Sequence, residues 1–171
     1  MTRLALLGGL LLVLLSGCGY HAPASGDAWV GQGGRTLYVE LFANRTVEPY
    51  LDSVVTKEMA IRLARSRLVE LTEQRGMADL VLDGAVTAFD SSVGAYDAAD
   101  NISEYTASMT VKARLLRSSD GSVLWQAVLS RSETYPALVD KSLQQEGESL
   151  AARVVAKRIA EDLLARLLTT F

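Results

Sequence analysis

The apolar positions of the chain follow two periods, and each period predicts one kind of element. Residues 36–42 alternate, with Leu37, Val39 and Leu41 on one side, which predicts a β-strand. Residues 50–67 place apolar side chains at steps of four, which predicts an amphipathic helix of about five turns. The apolar positions of this helix are Leu51, Val55, Met59 and Leu63.

Two further strands and a second helix follow along the chain. The stretch 68–72 is short and favours a strand, and 78–89 alternates, with Gly84 as the expected site of a bulge. Residues 90–103 have the composition of a turn, so we expect a mobile loop there. Near the C terminus, 148–169 predicts a helix. Its apolar side consists of Ala152, Val155, Ile159, Leu163 and Leu167.

A β-hairpin is predicted for residues 104–117 and 123–134, and its apolar rows indicate its register. A two-residue turn would set these rows on opposite faces of the sheet, whereas a three-residue loop ending at Gly121 puts them on the same face. The longer loop also gives the left-handed position to glycine, which adopts it at least cost. The expected pairs are Leu115 with Trp125, Ala113 with Ala127 and Val111 with Leu129.

The element order β-α-(β)-β-β-β-α predicts an α+β fold, with two helices packed on one face of a mainly antiparallel sheet of about four strands. In the expected register, Thr110, Lys112 and Arg114 point away from the helices. This outer strip is cationic, polar and apolar together, a composition that a solvated sheet face also shows. The polar side of the second helix predicts two ion pairs, Lys157 with Glu161 and Arg158 with Asp162.

The first residues of the chain have the pattern of a secretion signal. Arg3 is followed by the apolar run Leu4–Leu15, which is too short to cross a bilayer as a helix of about 20 residues but suits a signal peptide. The order Leu15-Ser16-Gly17-Cys18 resembles the bacterial lipobox. That resemblance implies cleavage before Cys18, an N-acyl group on the new terminus and an S-diacylglycerol on the thiol. An ordinary signal with an incidental cysteine is the alternative.

These patterns divide the chain into three parts. We expect a lipoprotein signal peptide at 1–17, a lipidated tether at 18–35 and a single α+β domain at 36–171. Gly19 follows the cysteine where lipoproteins retained in the inner membrane typically carry aspartate. By this resemblance the destination is the periplasmic face of the outer membrane.

Composition excludes several classes of chemistry. The 171 residues contain one cysteine and one histidine, which excludes an internal disulfide, a thiolate zinc cluster and a paired-imidazole metal site. The net charge of −3 disfavours a role in binding nucleic acid. Asp97 and Asn101 have the spacing of a calcium loop, but Ala99 replaces a ligand and Ile102 takes the position of the required glycine. Carboxylate pairs that could support hydrolysis exist, among them Asp79 and Asp83, which are four residues apart. We predict no catalytic residues, no metal and no cofactor apart from the lipid.

A set of short motifs resembles the LPS-assembly lipoprotein family, LptE. They are the start Cys18-Gly19-Tyr20-His21, the strand end Phe42-Ala43-Asn44-Arg45-Thr46, the strand entry Ala78-Asp79-Leu80, Glu104-Tyr105 leading into Met109-Thr110-Val111, and the Ala/Leu-rich last helix. The resemblance covers essentially the whole chain after the signal. It implies an outer-membrane lipoprotein that plugs an LptD-like β-barrel, binds lipopolysaccharide and assists its insertion into the outer leaflet.

Candidate lipopolysaccharide-binding residues come from charge and predicted exposure. They are Lys112 and Arg114 of the outer strip and Lys141 in the connecting loop at 136–147. Arginine and lysine suit the phosphates of lipid A, and the apolar neighbours suit its acyl chains.

Two other functions remain open at this point. The Phe-x-Asn-x-Thr strand end before a helix also resembles lipoproteins that activate penicillin-binding proteins and curli-secretion lipoproteins. Such a scaffolding lipoprotein would have a cell-wall synthase or copies of itself as its partner. The second alternative is a carboxylate hydrolase, whose turnover would disappear in an Asp79→Ala variant.

Overall fold

The computed structural model describes residues 36–67 and 69–169, so the predicted signal peptide, tether and Cys18 lie outside the described residues. This part contains six strands, two α-helices and one 3₁₀ turn at Arg75–Met77. The strands are β1 (Thr36–Val39), β2 (Ala43–Asn44), β3 (Glu70–Leu71), β4 (Leu80–Tyr96), β5 (Ile102–Arg117) and β6 (Val123–Pro136). The helices are α1 (Leu51–Ser66) and α2 (Lys141–Thr169).

One mixed sheet holds the strands in the order β3-β1-β4-β5-β6, and the short β2 pairs with β4 beyond the end of β1. The pairs that involve β1 and β2 are parallel, whereas β4, β5 and β6 form two long antiparallel hairpins. The α+β class and the element order are confirmed. Most of the paired length of the sheet is antiparallel, as predicted. The sheet has six strands instead of about four because short segments pair in parallel at one side.

The core lies between the sheet and the two helices. Helix α1 buries the four apolar residues predicted from their four-residue spacing. Helix α2 buries its predicted apolar side as well. The inner face of the sheet opposes them with side chains that have almost no exposure: Leu37, Leu80, Leu82, Val86, Met109, Val111, Ala113 and Leu115.

The predicted β5–β6 register is confirmed. Leu115 pairs with Trp125, and the two further predicted pairs also form. Gly121 has φ +70°, and its N–H donates to the Arg117 carbonyl at 2.8 Å, so glycine occupies the left-handed position of the loop. Val123 does not continue the buried row of Trp125 and Leu129 and is exposed, because an irregularity after Leu115 pairs it with Leu116.

The predicted loop at 90–103 is wrong. Strand β4 continues to Tyr96 and β5 begins at Ile102, leaving a turn of five residues. Asp97 closes this turn, because its Oδ1 accepts the backbone N–H of Ala99 at 2.8 Å and of Asn101 at 2.9 Å. These hydrogen bonds lower the pKa of Asp97. The calcium-like spacing is therefore the signature of a closed turn.

The first predicted strand is shorter than expected, and its pattern breaks before residue 42. Leu41 is 60% exposed, whereas Phe42 is 1% exposed and enters the core. The Phe42 N–H donates to Thr56 Oγ1 at 3.0 Å, which ties this break to α1. Gly84 is in register with its partner strand, so the predicted bulge there is wrong. The β4–β5 pairing is irregular further along β4, between Val86 and Ala88 and again between Val93 and Tyr96.

Helix α2 begins earlier than predicted. It starts at Lys141, and the preceding Asp140 caps it by accepting the N–H groups of Ser142 at 2.8 Å and Leu143 at 3.2 Å. The predicted loop over 136–147 is therefore mostly helix. The ion pairs predicted within α2 are replaced by pairs with neighbouring elements: Glu161 with Arg62, Asp162 with Arg131 and Arg158 with Glu133.

Candidate functional site

The face of the sheet opposite the helices carries the strip predicted from the hairpin register. Lys112 and Arg114 are exposed on it and Thr110 is half-buried; they pair with Val128, Gln126 and Ser130 of β6, respectively. Val128 is 58% exposed beside Lys112. The structure therefore places a cation and an apolar side chain next to each other in solvent.

Lys112 and Arg114 line a small cavity together with a cation that the sequence reasoning missed. The cavity has a volume of about 140 Å³, and Arg45 forms part of its lining. Arg45 follows β2, and its backbone N–H donates to the Val86 carbonyl at 2.9 Å. The remaining lining residues of this cationic pocket are Gly84, Ala85 and Thr87.

One of the three cations is already paired. Arg114 faces Asp83 across the β4–β5 ladder, and its Nε donates to Asp83 Oδ1 at 2.9 Å while Nη2 donates to Oδ2. Hydrogen bonding to Asp83, together with its charge, raises the pKa of Arg114. Within residues 36–67 and 69–169, Arg45 and Lys112 have no ion-pair partner, so the pocket keeps two uncompensated positive charges.

The carboxylates considered for hydrolysis do not form a pair. Asp79 lies four strand residues from Asp83, about 13 Å along the backbone. Asp79 Oδ2 accepts the Thr36 N–H at 3.0 Å, whereas Asp83 is held by Arg114. Each carboxylate thus has a separate structural partner.

The third predicted candidate, Lys141, lies elsewhere. It is the first residue of α2, after the end of β6 at Pro136. Pro136 pairs with Glu104, which is eight residues, or about 27 Å, along β5 from Lys112. The structure brings Lys112 and Arg114 together and leaves Lys141 at the other end of the sheet.

A second concave surface lies where β6 ends and α2 begins. It has a volume of about 390 Å³ and is walled by Leu138, Leu143 and Leu150, each 43–52% exposed. We call this surface the β6–α2 groove. Its other lining residues are Glu133, Thr134, Tyr135, Pro136, Glu146, Gly147, Ala151 and Val154.

Tyr135 forms the floor of the groove. Its ring stacks on Tyr105 with centroids 5.8 Å apart, and its hydroxyl lies 2.6 Å from Ser91 Oγ. Burial raises the pKa of Tyr135. A Cβ at Gly147 would lie 3.2 Å from this ring, so a glycine inside α2 allows the helix to approach Tyr135 closely.

Glu148 lies near the same cluster and makes stability sensitive to pH. Burial raises its pKa, the charge of Glu48 adds to the increase, and a hydrogen bond with Ser91 opposes it. Because the folded state holds the Glu148 proton more tightly than the unfolded state does, the protonated carboxyl group contributes to stability. This contribution is fully present below the pKa of Glu148 in the unfolded state and is lost as pH rises through its pKa in the folded state.

Replacing Glu148 with glutamine should therefore raise the melting temperature at pH 7.5 by about 1–2 °C. The difference should shrink towards pH 4, where Glu148 is protonated in the parent protein. Differential scanning calorimetry at both pH values measures this, with the exposed Glu146→Gln as control. An equal gain for both variants at pH 7.5 would contradict the role given to burial.

Two classes of site are not found in the described residues. Among residues 36–67 and 69–169, no helix combines the length and apolarity needed to span a bilayer. The same residues contain no group of three or more His, Cys, Asp or Glu side chains that could hold a metal ion.

Comparison with protein families gives a match that covers most of the chain. The model of the family described as LptE, lipopolysaccharide-assembly, matches residues 34–167. The chain belongs to the LptE family. This is a family of non-enzymatic assembly lipoproteins, and its role in lipopolysaccharide assembly points to the outer membrane. A search of curated proteins finds no match.

Solved structures show the same fold at low sequence identity. Protein XCC0632 of Xanthomonas campestris is 15% identical with a TM-score of 0.58, covering 81% of this chain and 85% of that one. The PelC dodecamer of Paraburkholderia phytofirmans is 22% identical with a TM-score of 0.51, at 74% and 86% coverage. The rare lipoprotein B of Shewanella oneidensis is 15% identical with a TM-score of 0.52, at 80% and 96% coverage. At these identities the likeness concerns the fold alone.

Proposed function

We propose that this LptE-family protein is a lipoprotein anchored through Cys18 at the periplasmic face of the outer membrane. There it acts as plug and assembly partner of an LptD-like β-barrel, binds lipopolysaccharide and assists its insertion into the outer leaflet. Membership of the family supports the assembly role. The lipobox-like Leu15-Ser16-Gly17-Cys18 supports the anchor.

The cationic pocket is the observation that carries the lipopolysaccharide-binding part of this proposal. It presents Arg45 and Lys112 without acidic partners in the described part of the chain, on the face of the sheet that the helices leave open. Guanidinium and ammonium groups bind phosphate through charge-assisted hydrogen bonds. The exposed Val128 beside Lys112 offers apolar contact to an acyl chain.

The pocket differs from the predicted site in the role of Arg114. Because Arg114 already donates two hydrogen bonds to Asp83, an acidic residue at 114 would place a second negative charge against that carboxylate. A loss of binding in such a variant would mix loss of the cation with damage to the sheet. Arg45 and Lys112 are the better positions to test, since both are exposed.

Replacing Arg45 and Lys112 together with glutamate should weaken lipopolysaccharide binding by about tenfold or more, since each charge-assisted hydrogen bond contributes about 1.5–3 kcal/mol before solvent screening. Binding of purified lipopolysaccharide by titration calorimetry, at a fixed salt concentration, measures the effect. The matched control is Lys57→Glu with Arg65→Glu, two exposed cations of α1 that carry the same change in charge.

Two results would decide this assignment. Equal weakening in both double variants would show that overall charge, and not the pocket, controls binding. Lys141→Glu is tested separately, because Lys141 remains a candidate at the other end of the sheet. If the cationic pocket binds lipopolysaccharide, Lys141→Glu should weaken binding less than Lys112→Glu does.

A scaffolding lipoprotein of another envelope machine, of the penicillin-binding-protein activator or curli-secretion type, is the alternative. The similarity in fold to PelC, which was solved as a dodecamer, favours considering self-assembly. The mass of the detergent-purified particle separates the two functions. A ring of identical chains supports the alternative, and a complex with one large barrel supports the proposed function.

A further inference from the structure

The free edge of the sheet runs along β6. Successive residues of β6 direct their backbone N–H and carbonyl groups alternately towards β5 and towards this edge. The Ala137 N–H donates to the Ser103 carbonyl, and the β5–β6 pairing then continues in regular antiparallel register as far as Leu115. In such a ladder, successive residues direct their backbone groups to opposite sides. Odd-numbered residues of β6 therefore face β5, and even-numbered residues face the free edge.

Two arginines cover the middle of this edge. Arg131 Nη1 donates to the Ser130 carbonyl at 3.0 Å, and Arg158 Nη1 donates to the Ser132 carbonyl at 3.3 Å. Arg131 is held by Asp162 and Arg158 by Glu133, so both guanidinium groups are fixed in place. Charged side chains on an edge strand prevent another strand from adding there.

The edge is open again beyond the arginines, beside the β6–α2 groove. Thr134 directs its backbone N–H and carbonyl outwards there, and no strand of the described chain lies beyond β6. Thr134 also lines the groove, next to the exposed walls formed by Leu143 and Leu150. The outward-facing backbone groups of Thr134 thus lie beside the apolar β6–α2 groove.

Charge around the groove selects the chemistry of its occupant. Glu146 lines it, is exposed and has no ion-pair partner in the described part of the chain, while Glu133 adds a second carboxylate beside Arg158. These carboxylates repel the phosphates that would accompany a lipid A acyl chain. An acyl chain would also leave the backbone groups of Thr134 without hydrogen bonds. An extended polypeptide carries no phosphates, and its backbone can form hydrogen bonds with the N–H and carbonyl groups of Thr134.

We propose that the β6–α2 groove receives an extended segment of the barrel partner, which adds to the edge of β6 at Thr134. The segment places a large apolar side chain between Leu143 and Leu150 and a lysine or arginine beside Glu146. This inference rests on the proposed function for the identity of the partner, and it assigns that partner to a surface separate from the cationic pocket.

Photo-crosslinking in the full chain tests this assignment. Benzoylphenylalanine replaces Leu143 in one variant and the exposed Met77, in the distant 3₁₀ turn, in a control. Each is purified from outer membranes in mild detergent, irradiated and analysed by peptide mass spectrometry. We expect Leu143 to give an adduct with an identified outer-membrane barrel, at a segment with apolar and basic residues. Met77, at the other end of the sheet, should give no adduct at that segment.

A proline pair tests whether backbone pairing is involved. Thr134→Pro removes a free-edge N–H, which should lower the Leu143 crosslink to the barrel about fivefold, since one hydrogen bond contributes about 1 kcal/mol. Gln126→Pro removes an N–H that also faces the free edge but lies far from the groove, and it should change the yield less than twofold. Melting temperatures close to that of the parent protein show that both variants are folded.

The outcomes separate the two proposals. Parent protein that purifies without any barrel overturns the proposed function, and this inference with it. Parent protein that brings the barrel while Leu143 crosslinks only to lipid, to a second copy or to nothing overturns this inference alone. Equal loss of the crosslink in both proline variants also overturns strand addition at Thr134.

Discussion

Replacing Cys18 with serine should abolish acylation of the protein. A hydroxyl does not take the place of the thiol that receives the diacylglycerol in the lipobox reaction implied by Leu15-Ser16-Gly17-Cys18. Without that step, cleavage before residue 18 and N-acylation should also be lost. Since each buried methylene contributes about 0.8 kcal/mol to membrane binding, loss of the acyl chains removes most of the anchoring free energy.

Palmitate labelling and intact mass measure this effect directly. Parent protein should carry label and have the mass of residues 18–171 plus its lipids, whereas Cys18→Ser should be unlabelled and retain residues 1–17. Ser25→Ala, in the tether, is the control and should behave as the parent. An unlabelled parent protein, or a labelled Cys18→Ser variant, would contradict the lipoprotein assignment.

Replacing Gly84 with alanine should be the most damaging small substitution in the described domain. An added Cβ would lie 2.3 Å from the Phe42 ring and 2.5 Å from the Lys112 carbonyl oxygen. Phe42 is buried in the core and Lys112 belongs to the paired strand β5, so neither group can move away easily. We expect a loss of about 3 kcal/mol in unfolding free energy, or roughly 10 °C in melting temperature.

Gly76→Ala is the matched control, because nothing lies within 4 Å of the added Cβ. Its unfolding free energy should stay within about 0.5 kcal/mol of the parent value. Adding Phe42→Leu to Gly84→Ala should recover part of the loss, since the smaller side chain removes the ring contact. Chemical denaturation measures all of these variants. Equal stability of Gly84→Ala and Gly76→Ala would show that Phe42 does not pack against Gly84.

The sequence alone predicts those features that depend on local pattern. The buried sides of α1 and α2 follow from residues spaced three or four apart, which lie on one side of any helix. The β5–β6 register follows from two facing apolar rows and a glycine that must adopt positive φ. Each of these arguments involves residues that are close in sequence or joined by one short loop.

Features that depend on distant pairing could not be predicted in this way. Arg45 reaches the cationic pocket because β2 pairs in parallel with β4, some forty residues later in the sequence, with Asn44 beside Val86. The short β2 has no period of its own. Since Arg45 is part of a motif that reads as a polar turn, its charge alone gave no reason to group it with Lys112.

The two misjudged segments lack a continuous apolar row. The halves of β4 and β5 that adjoin the turn between them carry exposed polar side chains such as Asp90 and Ser92. The alternation of apolar and polar residues is therefore weak there, although the strands continue. The first turns of α2 contain Gly147 and few apolar residues, which masks the helix that Asp140 caps. In both segments the element is held by backbone and capping hydrogen bonds, and too few of its residues are buried to produce an apolar pattern in the sequence.

Purification of the native chain in mild detergent, followed by mass and peptide identification of everything bound to it, tests the proposed function. We expect an acylated protein in a stable complex with a single outer-membrane β-barrel of the LptD type. Recovery of the chain only with copies of itself, or with a cell-wall synthase, would contradict it.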